Sequence, residues 1–121
     1  MTLNDYRDEC YEAARAKGFH DDPAPANPTA YRERIGNRLM LVVSELVEAH
    51  DEIRKGKPPT LTYFKPAPAD PNKPEGVPSE IVDALIRLFD LAGELGIDLD
   101  EIYALKRAYN DSRPYKHGKK F

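Results

Sequence analysis

The distribution of prolines is the sequence feature that most restricts the fold of this chain. Seven of the eleven prolines lie between Pro58 and Pro78, where they exclude a continuous helix and most paired strand. Three more lie in the segment 18–28, which predicts a loop. A connection as long as 58–78 is unusual in a compact domain and is typical of a lid or binding loop. We therefore expect regular structure only outside these two proline-rich segments.

The part of the chain before the long connector predicts two helices. Leu3–Lys17 has a helix-forming composition that ends at Gly18. From Thr29 to Lys55 apolar residues recur every three or four positions, and the sequence Gly-Lys-Pro-Pro ends this pattern. The recurring apolar residues are Ile35, Leu39, Val42, Leu46, Ala49 and Ile53. The second helix is therefore expected to be long and amphipathic.

The part after the connector predicts two more helices. Ser79 is suited to cap a third helix, and Gly96 is suited to end it. Asp98 and Glu101 have the spacing of a capping box, which predicts a fourth helix from Leu99 to about Asn110. No segment indicates a strand. The expected fold class is all-α, a bundle of four to five helices in one domain spanning residues 1–121.

Composition narrows the classes of protein to which the chain can belong. With 40% hydrophobic and 32% charged residues it has the composition of a soluble globular domain. Its longest strictly apolar run, Leu39–Val43, is far shorter than the roughly 20 residues of a membrane span. The first twelve residues carry acids where a secretory signal has a basic patch, and Cys10 is the single cysteine. We therefore expect a cytoplasmic protein with no membrane association.

Charge is distributed unevenly along the chain. The net charge of −3 gives no reason to expect stable binding to nucleic acid. The segment 105–121 nevertheless carries six basic residues against Asp111, a net charge of about +5. Such a tail is either a solvated terminus or a contact for a small polyanion.

Acidic residues line one edge of both central helices. A helical projection places Glu45, Glu48 and Glu52 along the border of the apolar stripe of the second helix. Glu80 and Asp83 occupy the corresponding border of the third helix. If the two helices pack antiparallel, Glu45, Glu48, Glu80 and Asp83 meet in one cluster.

Four neighbouring carboxylates repel one another unless a cation neutralises them. Ligands that are all oxygen atoms favour Mg²⁺, or Mn²⁺, over Zn²⁺. A single Glu-x-x-Glu pair is more often solvated surface, but equivalent placement on two helices favours a shared metal site. The sequence therefore predicts a divalent metal bound between the second and third helices.

The two motifs resemble those of a known enzyme family. Ser44–Ala49 and Pro78–Ala84 carry the ExxE and ExxD pattern of the all-α nucleoside triphosphate pyrophosphohydrolases, and the chain is similar to the MazG-like proteins among them. The Lys73–Pro78 segment, the spacing of Lys106 and Asn110, and the basic segment 113–120 extend the resemblance over most of the chain from about residue 36.

The resemblance implies Mg²⁺-dependent hydrolysis of a (deoxy)nucleoside triphosphate to the monophosphate and pyrophosphate. It assigns the metal and the catalysis to four carboxylates, Glu45, Glu48, Glu80 and Asp83. It assigns the substrate phosphates to Lys106, Asn110, Arg113, Lys116 and Lys119. It also implies a homodimer or homotetramer.

Two other functions remain open from the sequence. Alarmone or phosphoribosyl-nucleotide substrates would use the same carboxylates and differ only in the pocket. A non-catalytic helical interaction module would keep the fold and use the basic tail and proline-rich connector to bind a partner. The intact carboxylate set favours an enzyme, because a protein freed from catalysis gains nothing from mutually repelling acids.

Overall fold

The computed structural model describes residues 1–120 and is all-helical over that range, which confirms the predicted fold class. Its α-helices are α1 (Leu3–Ala16), α2 (Pro28–Arg54), α3 (Val77–Leu95) and α4 (Leu99–Ser112), followed by a short 3₁₀ helix at Tyr115–Gly118. The proline-rich connector between α2 and α3 holds only one isolated antiparallel bridge, between Tyr63 and Glu75. The helix boundaries agree with the sequence expectations to within two residues, except at the start of α3.

Side-chain caps account for where three of the helices begin. Thr2 accepts a hydrogen bond from the Asp5 amide, and the Asp5 carboxylate accepts one from the Thr2 amide, which closes a capping box on α1. Asn27 caps α2 ahead of a proline in its first turn. Asp98 caps α4 by accepting a hydrogen bond from the Glu101 amide.

The start of α3 differs from the sequence expectation. The helix begins at Val77, directly after Gly76, and Ser79 lies inside the first turn with its hydroxyl donating to the Pro74 carbonyl. Gly76 has a φ of 113°, and a Cβ at this position would collide with the Leu61 carbonyl oxygen. The expected Ser79 cap was therefore wrong, because a glycine pressed against the connector turns the chain into the helix.

α3 lies at the centre of the molecule and packs against both α1 and α2. It runs antiparallel to α2. Arg38, early in α2, pairs with Glu94, late in α3, whereas Glu45, further along α2, pairs with Arg87, which lies earlier in α3. It also runs antiparallel to α1. The guanidinium of Arg7, near the start of α1, donates a hydrogen bond to the carbonyl of Ile97, which follows the end of α3. The antiparallel packing of α2 and α3 that the carboxylate prediction required is confirmed.

Polar contacts tie the turn after α1 to these helices. His20 Nε2 and Asp90 Oδ1 lie 2.7 Å apart, and the His20 ring packs against that of Tyr11. Glu94 lies 3.8 Å from His20 Nδ1 through its Oε1 atom and pairs with Arg38 of α2 at 2.8 Å through its Oε2 atom. These contacts fix the turn after α1 over the C-terminal half of α3.

The buried apolar core is small for a chain of this length. Within residues 1–120 the buried apolar side chains are Val42, Ala49, Val77, Ala84, Leu91 and Ala92. α4 buries none of its residues and packs mainly on α1. No helix in the part of the chain that the structure describes is both long and apolar enough to cross a bilayer.

Candidate metal centre between two helices

Three carboxylates meet where α2 and α3 cross. Glu45 and Glu48 lie one turn apart on α2, and Glu80 lies in the first turn of α3. One carboxylate oxygen of each lies within 4.8 Å of the others. Glu45 and Glu80 are buried, whereas Glu48 is exposed at the outer side of the group. We call Glu45, Glu48 and Glu80 the carboxylate cluster.

Glu80 carries the strongest electrostatic perturbation of the cluster. Burial, followed by hydrogen bonds that its protonated form makes to Glu45 and Glu48 and by repulsion from their charges, raises the pKa of Glu80 from 4.5 to about 8. The residue is only 8% exposed, and its Oε2 atom is buried without a hydrogen-bond partner among the described residues. A buried carboxylate oxygen without a donor is costly, so this position is suited to a cation.

Glu45 is held in its charged form by an arginine. Burial acts to raise the pKa of Glu45, but hydrogen bonds from neighbouring groups, foremost the Arg87 guanidinium, lower it overall. Arg87 Nε lies 2.8 Å from Glu45 Oε1. The two buried members of the cluster are thus shifted in opposite directions, which is typical of carboxylates that share a site.

Asp83 lies one turn beyond Glu80 on α3 and is not part of the carboxylate cluster. Burial and the charge of Glu45 raise the pKa of Asp83, while Arg87 and Lys73 oppose this change. Its carboxylate therefore lies close enough to feel the charge of the cluster. The structure brings together three of the four carboxylates named from the sequence and leaves the fourth at the margin.

The donor set fits a hard divalent cation. All available ligand atoms are carboxylate oxygens, from residues on two helices that pack firmly together. Mg²⁺ and Mn²⁺ prefer such oxygen ligands. Glu45, Glu48 and Glu80 are the residues that could hold the ion, and a cation there would supply the partner that Glu80 Oε2 lacks.

The predicted phosphate-binding residues lie elsewhere in the single chain. Lys106 and Arg113 lie over the ring of Tyr109, at 5.5 and 5.6 Å from its centroid. Within residues 1–120, no ion pair joins Lys106, Asn110, Arg113, Lys116 or Lys119 to the carboxylate cluster or to Asp83. One chain therefore forms no ion pair between the described part of the basic C-terminal segment and these carboxylates.

Sequence reasoning missed the contacts of Arg87 and of Glu52. Arg87 received no role from the sequence, although its position one turn after Asp83 was the available signal. Glu52 is buried and accepts hydrogen bonds from the Tyr63 hydroxyl, at 2.8 and 3.0 Å. No local sequence pattern predicts the contact between Glu52 and Tyr63, because Tyr63 lies in the irregular proline-rich connector.

A shallow depression lies along the N-terminal half of α2. It has a volume of about 690 Å³ and is lined by Asp22, Ala30, Glu33, Arg34, Asn37, Arg38 and Leu41. Arg38 and Leu41 also line a smaller cleft that contains Arg87. The two hollows share Arg38 and Leu41, so open surface extends from Arg87, the partner of Glu45, towards the N-terminal half of α2.

No known protein family, curated protein or solved structure shows a significant match to this chain. The similarity to MazG-like enzymes therefore stays a prediction that rests on the motifs. The geometry of the carboxylate cluster is independent of that similarity.

Proposed function

We propose that the protein is a Mg²⁺-dependent nucleoside triphosphate pyrophosphohydrolase. The observation that carries this proposal is the meeting of three carboxylates between two helices, in which no donor from the described residues reaches the buried Oε2 atom of Glu80. The ExxE and ExxD motifs indicate which reaction we propose, because they place these carboxylates in the pattern that is typical of that enzyme class. Mn²⁺ is an alternative ion for the same ligands.

Hydrolysis of a phosphoanhydride depends mainly on the placement of charge. The attacking water forms a bond to the α-phosphorus, and the bond from that phosphorus to the oxygen bridging to the β-phosphate breaks. The proton of the water passes to a carboxylate or to solvent, and the products are the monophosphate and pyrophosphate. The chemistry that Mg²⁺ supplies at such a site is charge neutralisation and alignment of phosphate oxygens.

The residues of the chain have different roles in holding the ion and orienting the attacking water. Glu45 and Glu80 would be the fixed ligands of the ion, because both are buried between packed helices. Glu48 is exposed, which gives its carboxylate access both to the ion and to the attacking water. Asp83, beside the cluster, would serve as a further ligand of the ion or as a group that orients the attacking water.

The extent of exposed surface favours a homodimer or homotetramer. The chain exposes 9135 Å², whereas a compact monomer of 13.7 kDa exposes roughly 6,600 Å². Exposed apolar side chains share one side of α2 and one side of α3. They are Leu39, Met40, Val43, Leu46, Val47, Ile81, Val82, Leu85, Ile86 and Leu88. We call this set the apolar face.

Helical periodicity places the apolar face and the carboxylate cluster on opposite sides of the α2–α3 pair. A second copy that covers the apolar face therefore leaves the carboxylates open to substrate. We propose that assembly also brings the basic C-terminal segment of one copy towards the carboxylates of another. This arrangement would unite Lys106, Asn110, Arg113, Lys116 and Lys119 with the phosphates.

The exposed apolar side chains of α4 favour one alternative, the non-catalytic interaction module. Ile102, Tyr103, Leu105 and Tyr109 are each about half exposed or more. Such a module would bind a partner and hydrolyse no triphosphate. Alarmone and phosphoribosyl-nucleotide substrates fit the same carboxylates and differ from nucleoside triphosphates only in the groups that the surrounding surface must hold.

The decisive experiment measures pyrophosphate and monophosphate release from canonical and modified nucleoside triphosphates, alarmones and phosphoribosyl nucleotides. Each substrate is tested with Mg²⁺ and with a chelator. Glu48→Gln serves as the inactive variant, and Glu9→Gln, an exposed acid on α1, is the matched control. Metal-dependent release that Glu48→Gln abolishes supports the proposal. No product from any substrate would overturn it in favour of the interaction module.

A further inference from the structure

Arg87 occupies a position for which the proposed reaction gives no explanation. Its Nε donates to Glu45 Oε1 at 2.8 Å, so the guanidinium is attached to the edge of the carboxylate cluster. The Arg87 side chain is 42% exposed, whereas that of Glu45 is 10% exposed. The Nη1 and Nη2 groups make no hydrogen bond to the described residues. One side of the guanidinium is therefore fixed and the other faces open surface.

Arg87 is also the cationic side chain that is paired directly with the carboxylate cluster. Among residues 1–120 it forms the sole ion pair with a member of the carboxylate cluster. Lys73 is engaged by Glu75 at 3.7 Å, and Arg38 by Glu94 at 2.8 Å. Anionic phosphates brought to these carboxylates would meet Arg87 before any residue of α4 in the same chain.

We propose that Arg87 binds the phosphate oxygens of the nucleotide held at the carboxylate cluster, with Glu45 orienting its guanidinium. This inference rests on the proposed function and adds a substrate contact to it. The planar guanidinium presents donors in two directions, so Nε remains on Glu45 while Nη1 and Nη2 address phosphate oxygens. Lysine has no equivalent fork, and Arg87→Lys keeps the charge while losing this geometry.

A simpler role for Arg87 makes the opposite prediction. If it serves only as a counter-ion for Glu45, it competes with a metal for that carboxylate. Its removal would then tighten Mg²⁺ binding and leave the affinity for phosphates unchanged. If it binds phosphates, removal weakens nucleotide binding whatever happens to the metal.

Isothermal titration calorimetry separates these two roles. Wild type, Arg87→Ala and Arg87→Lys are titrated with Mg²⁺ alone, and then with a non-hydrolysable deoxynucleoside triphosphate at saturating Mg²⁺. Arg15→Ala, which removes an exposed arginine paired with Glu12 on α1, is the control. We expect Arg87→Ala to weaken nucleotide binding by roughly 10- to 100-fold, as for the loss of a charged hydrogen bond. Arg87→Lys should lie between Arg87→Ala and wild type, and Arg15→Ala should match wild type.

The outcomes also distinguish this inference from the proposed function. If wild type binds and hydrolyses nucleotide but both Arg87 variants bind it equally well, the assignment of Arg87 is wrong and the enzyme stands. If wild type binds Mg²⁺ yet neither binds nor hydrolyses any triphosphate, both proposals fail. Circular dichroism of each variant establishes that it is folded, and Arg87→Lys carries the test if Arg87→Ala does not fold.

Discussion

The Tyr63 hydroxyl lies 2.8 Å from Oε2 of Glu52 and fastens the proline-rich connector to the last turns of α2. The hydrogen bond to Glu52, together with partial burial and the nearby charges of Glu75 and Glu80, raises the pKa of Tyr63 to about 12. The backbone of Tyr63 pairs in both directions with Glu75, immediately before α3. One residue of the connector therefore joins the last turns of α2 to the segment that leads into α3.

Replacing Tyr63 with phenylalanine should loosen this connection. Tyr63→Phe removes the donor and leaves the buried Glu52 carboxylate without it. We expect a lower Tm and faster amide hydrogen exchange across residues 61–76, measured by mass spectrometry. Tyr31→Phe, at an exposed position on α2, is the control and should change neither. Unchanged exchange in Tyr63→Phe would show that the backbone bridge alone holds the connector.

Local signals in the sequence predicted most of the helical structure. Asp98 precedes a helix that begins where this cap places it, and Gly96 ends α3 in a left-handed conformation. The start of α3 was misplaced because Gly76 acts through contact with Leu61, which is distant in the sequence from the helix. Caps are local interactions and can be read from sequence, whereas such tertiary contacts cannot.

The candidate site was predictable to the same extent. Helical periodicity places Glu45 and Glu48 on one edge, and antiparallel packing brings Glu80 to them. Periodicity gives the direction of a side chain only to within a fraction of a turn, so it could not separate Asp83 from the cluster. The Glu52–Tyr63 contact depends on the path of an irregular segment, for which the sequence has no periodic signal.

The raised pKa of Glu80 predicts how stability depends on pH in the absence of metal. Because the pKa is about 8 in the folded protein and 4.5 is its ordinary value, the folded state binds more protons between these values. The contribution of Glu80 to the free energy of unfolding should therefore fall as pH rises from about 4.5 to about 8. Urea denaturation with a chelator at several pH values measures this slope.

Glu80→Gln serves as the control for that experiment, because it cannot titrate, and the slope should be smaller in this variant. Mg²⁺ should act in the opposite direction in wild type, stabilising it more at higher pH, since the ion requires the deprotonated carboxylate. Equal slopes in wild type and Glu80→Gln would contradict the assignment of a raised pKa to this residue.

The carboxylates should differ in their importance for metal affinity. Glu48→Gln removes a member of the cluster and should weaken Mg²⁺ binding by at least the roughly 10- to 100-fold typical of outer-shell partners. Asp83→Asn should weaken it less, because that carboxylate lies outside the group. Calorimetric titration with Mg²⁺ measures both, with Glu9→Gln as the control. Equal losses would mean that Asp83 moves in to become a direct ligand.

Close packing between α1 and α3 makes Gly93 sensitive to any added side chain. A Cβ at Gly93 would lie 2.5 Å from Cβ of Tyr11, so one of the helices must shift. Gly93→Ala should destabilise the protein by about 1–3 kcal/mol. Gly36→Ala is a matched control, because no atom lies within 4 Å of the new Cβ and helix propensity favours alanine by about 1 kcal/mol. Chemical denaturation should show opposite signs for the two changes, and a neutral Gly93→Ala would contradict the tight packing.

The apolar face makes a prediction about assembly. Exposed Leu, Ile, Val and Met side chains on α2 and α3 gain about 25 cal/mol for each Å² that a second copy covers. Sedimentation velocity at micromolar concentration should therefore show a dimer or tetramer. Val47→Glu places a charge on this face at a residue that is 59% exposed, so the single chain should still fold while the assembly dissociates. Phe64→Glu, at an exposed connector position outside the face, should leave the assembly intact. A wild-type protein that sediments as a monomer would remove the proposed role of assembly in bringing the basic C-terminal segment to the carboxylates.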